Sequence, residues 1–269
     1  MWCIAVKRRS WQPSRHCWTA CWAWCAIRGA CTVVDALLLV PGLMCDGTVW
    51  EPVMPALQGR ATCRVVAPAD VDELAQMARL LLADAPAHFA LAGHSMGARV
   101  ALEVLRQAPE RVSRIALLDT GYQARADGAA GEEEARKRQT LLDLARMQSV
   151  RAMATDWVQG MVHPQRLTDA ALIERIVAMF ERKSADTFAR QIHALLGRPD
   201  ASAVLQSIAV PALVLCGRQD SWAPVRQHEQ IHQLIPAAVL AVVEDAGHMA
   251  PMERPESVAE HLLRWLGTP

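Results

Sequence analysis

Short apolar runs alternate with stretches of helical spacing along most of the chain. Residues 36–40, Ala-Leu-Leu-Leu-Val, are apolar without interruption and end at Pro41-Gly42. Such a run fits a strand buried on both faces of a parallel sheet. Further runs are expected to form strands at 64–67 (closed by Pro68), 89–92, 114–118, 212–216 and 239–243. Between them, 71–85 carries Leu74, Met77, Leu80 and Leu81 at helical spacing and stops at Pro86. Helices are likewise expected over 96–108, 224–234 and 256–266, the last with Pro255 in its first turn.

The alternation breaks off near Gly121 and resumes only after Pro211. The intervening residues have helical periodicity throughout, marked by Leu141, Leu144 and Met147, then Trp157 and Met161, then Leu172, Ile176 and Phe180. The charged pairs Glu132–Arg136 and Glu134–Arg138, four residues apart, suggest a solvated helix face. An all-helical insertion between two strands of an α/β chain is the expected arrangement.

One strand runs straight into Gly93-His94-Ser95-Met96-Gly97 and then into a helix. A strand, a sharp turn and a helix around Gly-x-Ser-x-Gly is the context in which a serine is presented as a nucleophile. The turn forces its central residue into a sparsely allowed backbone conformation and leaves no room for side chains two positions either side. A serine hydroxyl attacks only when a base takes its proton and donors receive the oxyanion. Two later loops supply candidates: Gly217-Arg218-Gln219-Asp220 after one strand, and Asp245-Ala246-Gly247-His248-Met249 after the last.

Composition narrows the class. In 269 residues, 52% are apolar, so a sizeable core is expected. Lys+Arg and Asp+Glu are both 28, which gives no bias towards nucleic acid or an anionic membrane. No apolar run reaches the roughly 18 residues of a membrane span. Five of eight cysteines and five of nine tryptophans fall in the first 31 residues, with five basic side chains and no acid. A secretory leader would explain the apolar run 17–27, but Arg28 interrupts the place where cleavage needs small residues. Cys17, Cys21 and Cys25 lack a second ligand pair at zinc-finger spacing. Residues 1–32 are therefore expected to be an extension outside the fold. Cys45, Cys63 and Cys216 read as scattered small core residues, and the body of the chain as cytosolic.

The three motifs, in the order Ser95, Asp220, His248, resemble the α/β-hydrolase fold family over about residues 35–267. The chain departs at Pro41, where that family commonly has His before the Gly. The resemblance implies a mostly parallel sheet flanked by helices, with core segments at 33–120 and 205–269 and a helical cap at 121–204. It implies Ser95 as nucleophile, His248 as base and Asp220 as the acid that orients it. Asp119 is the rival acid, because some members carry it at the end of the earlier strand. The oxyanion donors would be the amides of Met96 and Leu43, and no metal or organic cofactor is needed. Met44, Met161, Trp222 and Met249, with Met96, are candidates for an apolar acyl pocket. His94 is expected to pack or hydrogen-bond at the turn, and His163 and His193 to lie on the surface of the cap. The implied activity is hydrolysis of a small-molecule carboxylic ester, thioester or lactone. Carbon–carbon hydrolases, acyltransferases and lyases of the same fold share these residues, as do ligand sensors that keep the triad.

Overall fold

The computed structural model describes residues 34–268. The expectations for residues 1–32, including the leader and zinc readings, lie outside the described residues. Six parallel strands form one sheet in the order β2-β1-β3-β4-β5-β6. They are β1 (Val34–Val40), β2 (Ala61–Val65), β3 (Phe89–His94), β4 (Val112–Leu118), β5 (Ala212–Gly217) and β6 (Val239–Val243). The inner strands β3 and β5 are buried along their whole length, as uninterrupted apolar runs require. The edge strands are less covered: β2 alternates half-buried and exposed positions, and β6 alternates half-buried and buried ones after an exposed first residue. That alternation moved β2: the sequence suggested 64–67, whereas Ala61, Cys63 and Val65 are the inward residues of the strand that forms.

Helices flank the sheet. α1 (Leu74–Asp84) packs on α2 (Met96–Gln107). Between β4 and β5 lies the insertion: α3 (Gly128–Met147), α4 (Val150–Trp157), α5 (Ala170–Glu181), α6 (Ala185–Leu196) and the short α7 (Ser202–Gln206). α8 (Val225–Leu234) and α9 (Pro255–Leu266) complete the chain. Ser149, Asp169 and Ser184 each accept an amide hydrogen bond at a helix N-terminus and so mark the starts of α4, α5 and α6. Arg182 of α5 pairs with Asp46 at 2.8 Å and Arg175 with Glu51 at 2.8 Å, tying the insertion to the loop after β1.

Strand order fixes where a site can form. The chain passes from β1 outward to β2, then crosses back over β1 to β3. The crossover direction reverses between β1 and β3, and the crevice beyond their carboxyl ends is where open α/β sheets bind ligands. Pro41 to Cys45 follow β1 there, and Ser95 follows β3. No described helix is long and apolar enough to cross a membrane.

Candidate active site

Ser95 stands between the last residue of β3 and the first of α2, with φ 54° and ψ −117°. Its strained backbone is held because both flanking glycines are hemmed in. A Cβ on Gly93 would come within 2.5 Å of the Ala98 backbone, and one on Gly97 within 2.2 Å of the Val40 carbonyl oxygen. The Ser95 amide donates to the Leu118 carbonyl at 2.8 Å, which locks the turn to β4.

From Ser95 a line of hydrogen bonds runs into the fold. Ser95 Oγ lies 2.8 Å from His248 Nε2, and His248 Nδ1 lies 2.8 Å from Asp220 Oδ2. The other Asp220 oxygen accepts the amides of Trp222 and Ala223, each at 2.9 Å. Burial works to raise the Asp220 carboxyl, but His248 and these two amides outweigh it and hold it below the usual carboxylate range. Asp119 is equally buried and takes no part in this line. One of its oxygens accepts the Gly217 amide at 2.9 Å, and the other stands 3.8 Å from His94 Nε2. Burial, then the charge of Asp220, pushes the Asp119 carboxyl upward, the opposite direction to Asp220.

The loop that carries His248 is clamped from outside the line. Glu253, buried two residues before α9 begins, accepts the amides of Gly247 (2.9 Å) and Met249 (3.2 Å) on either side of His248. It also accepts the His163 amide at 2.7 Å. The His248 amide donates to the Met161 carbonyl at 2.6 Å, so the insertion and the His248 loop are stitched together. Burial raises the Glu253 carboxyl against the pull of its three amides. His163 is therefore not a surface residue: it is buried, and its Nδ1 accepts the Gln165 amide. His193 is exposed, with Nδ1 3.1 Å from the Asp72 carbonyl oxygen. His94 donates from Nε2 to the His248 carbonyl at 2.8 Å, and burial pushes its ring down to about 3, so it is neutral.

Ser95 and His248 open onto a cavity of about 370 Å³ between the sheet and the insertion. Leu43, Met96, Met161, Trp222 and Met249 line it. Met44 does not: it is fully buried at φ 61°, and its amide donates to Gln191 of α6 at 2.8 Å. The first amides of a helix have no intrahelical partner. Met96 is the first residue of α2, and the Leu43 amide has no protein acceptor among the described residues. The Trp222 ring stacks on Trp157 at 5.2 Å and lies 4.9 Å from the His248 ring. Among the described residues no group of three or more His, Cys, Asp or Glu is placed to hold a metal ion.

The cavity also holds charges that the sequence pattern had placed elsewhere. Glu134, Arg138, Arg99 and Arg198 line it. The Glu134–Arg138 pair forms, at 2.9 Å, but on the cavity wall and not on a solvated face. The pairing expected between Glu132 and Arg136 does not form, because Arg136 turns to Glu133. Arg99 stands on α2 and Arg198 after α6, and nothing in the local pattern around either one signals the cavity.

A parallel sheet with its turn serine, acid and histidine in this order defines an α/β hydrolase. The alpha/beta hydrolase family model matches residues 37–261, and the chain belongs to that family. It is 26% identical over 232 residues to the pimeloyl-[acyl-carrier protein] methyl ester esterase of Nitrosomonas europaea, covering 82% of this chain and 91% of that one. It is 31% identical over 205 residues to the dihydrolipoyllysine-residue acetyltransferase component of the acetoin cleaving system of Pseudomonas putida. That match covers 73% of this chain and spans half the length of the relative. Among solved structures, a thermophilic esterase from Thermogutta terrifontis superposes with a TM-score of 0.74 at 25% identity, covering 86% of this chain and 89% of that one. The enol-lactonase of Burkholderia xenovorans LB400 has the same fold, with a TM-score of 0.75 at 20% identity over 87% of this chain and 92% of that one.

Proposed function

We propose that the protein is a serine hydrolase of carboxylic esters, acting on small or medium monomeric substrates through an acyl-enzyme on Ser95. The observation that carries this reading is the unbroken line from Ser95 Oγ through His248 to Asp220. Ser95 Oγ attacks the ester carbonyl carbon as His248 Nε2 takes its proton. Asp220 holds Nδ1 as a donor and stabilises the imidazolium. The amides of Met96 and Leu43 receive the oxyanion, and one such donor is worth about 3 kcal/mol in the transition state. Collapse of the intermediate expels the alcohol, which takes the proton from His248. Water then attacks the acyl-enzyme as His248 takes its proton, and collapse releases the carboxylic acid while His248 returns that proton to Ser95 Oγ.

The named esterases among the relatives, at 25% and 26% identity, support the ester bond as the target. The insertion supports the size limit. Its helices supply Trp157, Phe180 and Leu195 to the cavity wall, and as a cap they would exclude polymers and bulk water from the reacting carbon. The test is a panel of esters graded by acyl length, with thioesters and lactones beside them, assayed with the wild type and Ser95→Ala. Short and medium esters should be turned over by the wild type alone. Turnover that survives Ser95→Ala, or none on any ester, would overturn the reading.

A further inference from the structure

The cavity that contains Ser95 is positively charged at one end. Arg198 grips Glu134 with two nitrogens, Nη1 to Oε1 at 2.7 Å and Nη2 to Oε2 at 2.8 Å. Arg138 binds the same carboxylate through Nε at 3.0 Å and Nη2 at 2.9 Å. Arg99 pairs with no carboxylate among the described residues. Its Nη1 donates to the Gln123 carbonyl oxygen at 3.0 Å, and Arg198 Nε donates to that same oxygen at 3.3 Å. One backbone carbonyl thus holds two guanidinium groups side by side. Three cations thus gather around the single carboxylate of Glu134 at the wall of the cavity.

Such an excess is costly without a partner. Burial, then the neighbouring charge of Arg198, pulls Arg99 down to about 9, while Glu134 is held near 2 because its two arginines overcome the effect of burial. At about 9, Arg99 remains charged at neutral pH, so the deficit is one of anion and not of proton. Guanidinium groups fixed in this way bind planar carboxylates through two parallel hydrogen bonds. Ser95 and Arg99 line the same cavity. Arg99 leaves α2 one turn after Ser95, and its amide donates to the Ser95 carbonyl oxygen at 3.4 Å.

We propose that Arg99, Arg198 and Arg138 form a carboxylate-binding end of the cavity, and that the substrate is an ester whose acyl portion ends in a free carboxylate, such as the half-ester of a short dicarboxylic acid. This rests on the reading of Ser95 as the acylated serine. A carboxylate on the acyl side stays bound while the alcohol leaves and while water enters, so the site acts in both halves of the reaction. The apolar wall of Leu43, Met161 and Met249 takes the methylenes between the two ends.

The test compares monomethyl glutarate with its neutral diester, dimethyl glutarate, in the wild type, Arg99→Gln and Gln227→Glu. Gln227 is chosen because its Nε2 and Arg99 Nη2 flank Gly121 together, 2.5 Å and 2.9 Å from where a Cβ there would lie. A glutamate at 227 therefore offers Arg99 an internal carboxylate without opening a hole. The wild type should favour the half-ester by at least tenfold in kcat/KM, and each variant should cut that preference tenfold or more. Ser95-dependent hydrolysis of the diester with no preference for the half-ester overturns the carboxylate site and leaves the serine hydrolase standing. If no ester is hydrolysed, the enzyme reading fails and calorimetric titration with glutarate reads the site alone. Binding to the wild type that weakens at least tenfold in Gln227→Glu sustains the site, and absence of binding overturns it.

Discussion

Asp220 reaches His248 across 28 positions of the chain to place Oδ2 2.8 Å from Nδ1, while Asp119, equally buried, stops against Gly217 and His94. Two carboxyl groups so close cannot both ionise at low cost, and the environment divides them. His248 and two amides pull the Asp220 carboxyl down, while burial and the charge of Asp220 push Asp119 up. Asp220→Asn should therefore lower kcat by about 10⁴-fold, as loss of the orienting acid does in a serine protease. Asp119→Asn should cost far less. Steady-state kinetics on a short ester with both variants checks this, and the reverse ranking would move the acid to β4.

Glu253 touches no reacting atom, yet it holds the backbone on both sides of His248. In Glu253→Gln one oxygen must serve three amides, and the amide nitrogen has to face an N–H group. Loss of such buried bonds costs about 1–3 kcal/mol. The melting temperature should fall, and kcat should fall with little change in KM, because what shifts is the base and not the pocket. A variant that melts earlier with kcat intact would confine Glu253 to stability.

Two buried histidines make the fold sensitive to acid. His94 and His228 are pushed down to about 3 and about 4, in both cases chiefly by burial. In the unfolded chain each titrates near 6.5. Their contribution is complete above pH 6.5 and is lost as pH falls towards 4, because the unfolded state then binds more protons. Asp119 acts with the opposite sign, since its raised value favours the fold as pH falls. His228 Nε2 accepts the Thr120 amide at 3.0 Å, a bond that glutamine can reproduce. The melting temperature of His228→Gln should fall less steeply between pH 6.5 and 4 than that of the wild type. Parallel curves would remove His228 from the acid response.

Trp222, with Trp157, Glu134 and Arg138, stands between this cavity and a neighbouring one that also touches Lys137, Leu141 and Phe188. Trp222→Ala should join the two spaces and move the preferred acyl length upward. The Trp222 ring also rests against His248, so kcat on the shortest esters should drop in the same variant. A series of 4-nitrophenyl esters measures both effects. An unchanged length profile would place the acyl chain elsewhere.

Much of the fold was legible because parallel strands and the turn around Ser95 impose local demands. Continuous apolar runs, the glycines at 93 and 97, and prolines at helix ends can each be read without a partner. The β2 register was not legible, because an edge strand shows only the weak alternation of Ala61, Cys63 and Val65. Met44 was misplaced because its backbone turns to φ 61° and sends the side chain into the core. His163 reads as a surface residue in the sequence because nothing nearby in the chain signals Glu253, ninety positions away. The arginines of the cavity were hidden for the same reason. Glu134 and Arg138 look alike on a wet face and on a cavity wall, and only the approach of Arg99 and Arg198 from other elements tells the two apart.

The acyl-enzyme on Ser95 is tested most directly by intact-mass and peptide mass spectrometry after treatment with a fluorophosphonate. The strained turn, the 2.8 Å contact to His248 and the two waiting amides predict a single adduct on the peptide containing Ser95. A folded Ser95→Ala protein should take up none. An adduct on any other residue, or labelling that persists in Ser95→Ala, would contradict the assignment.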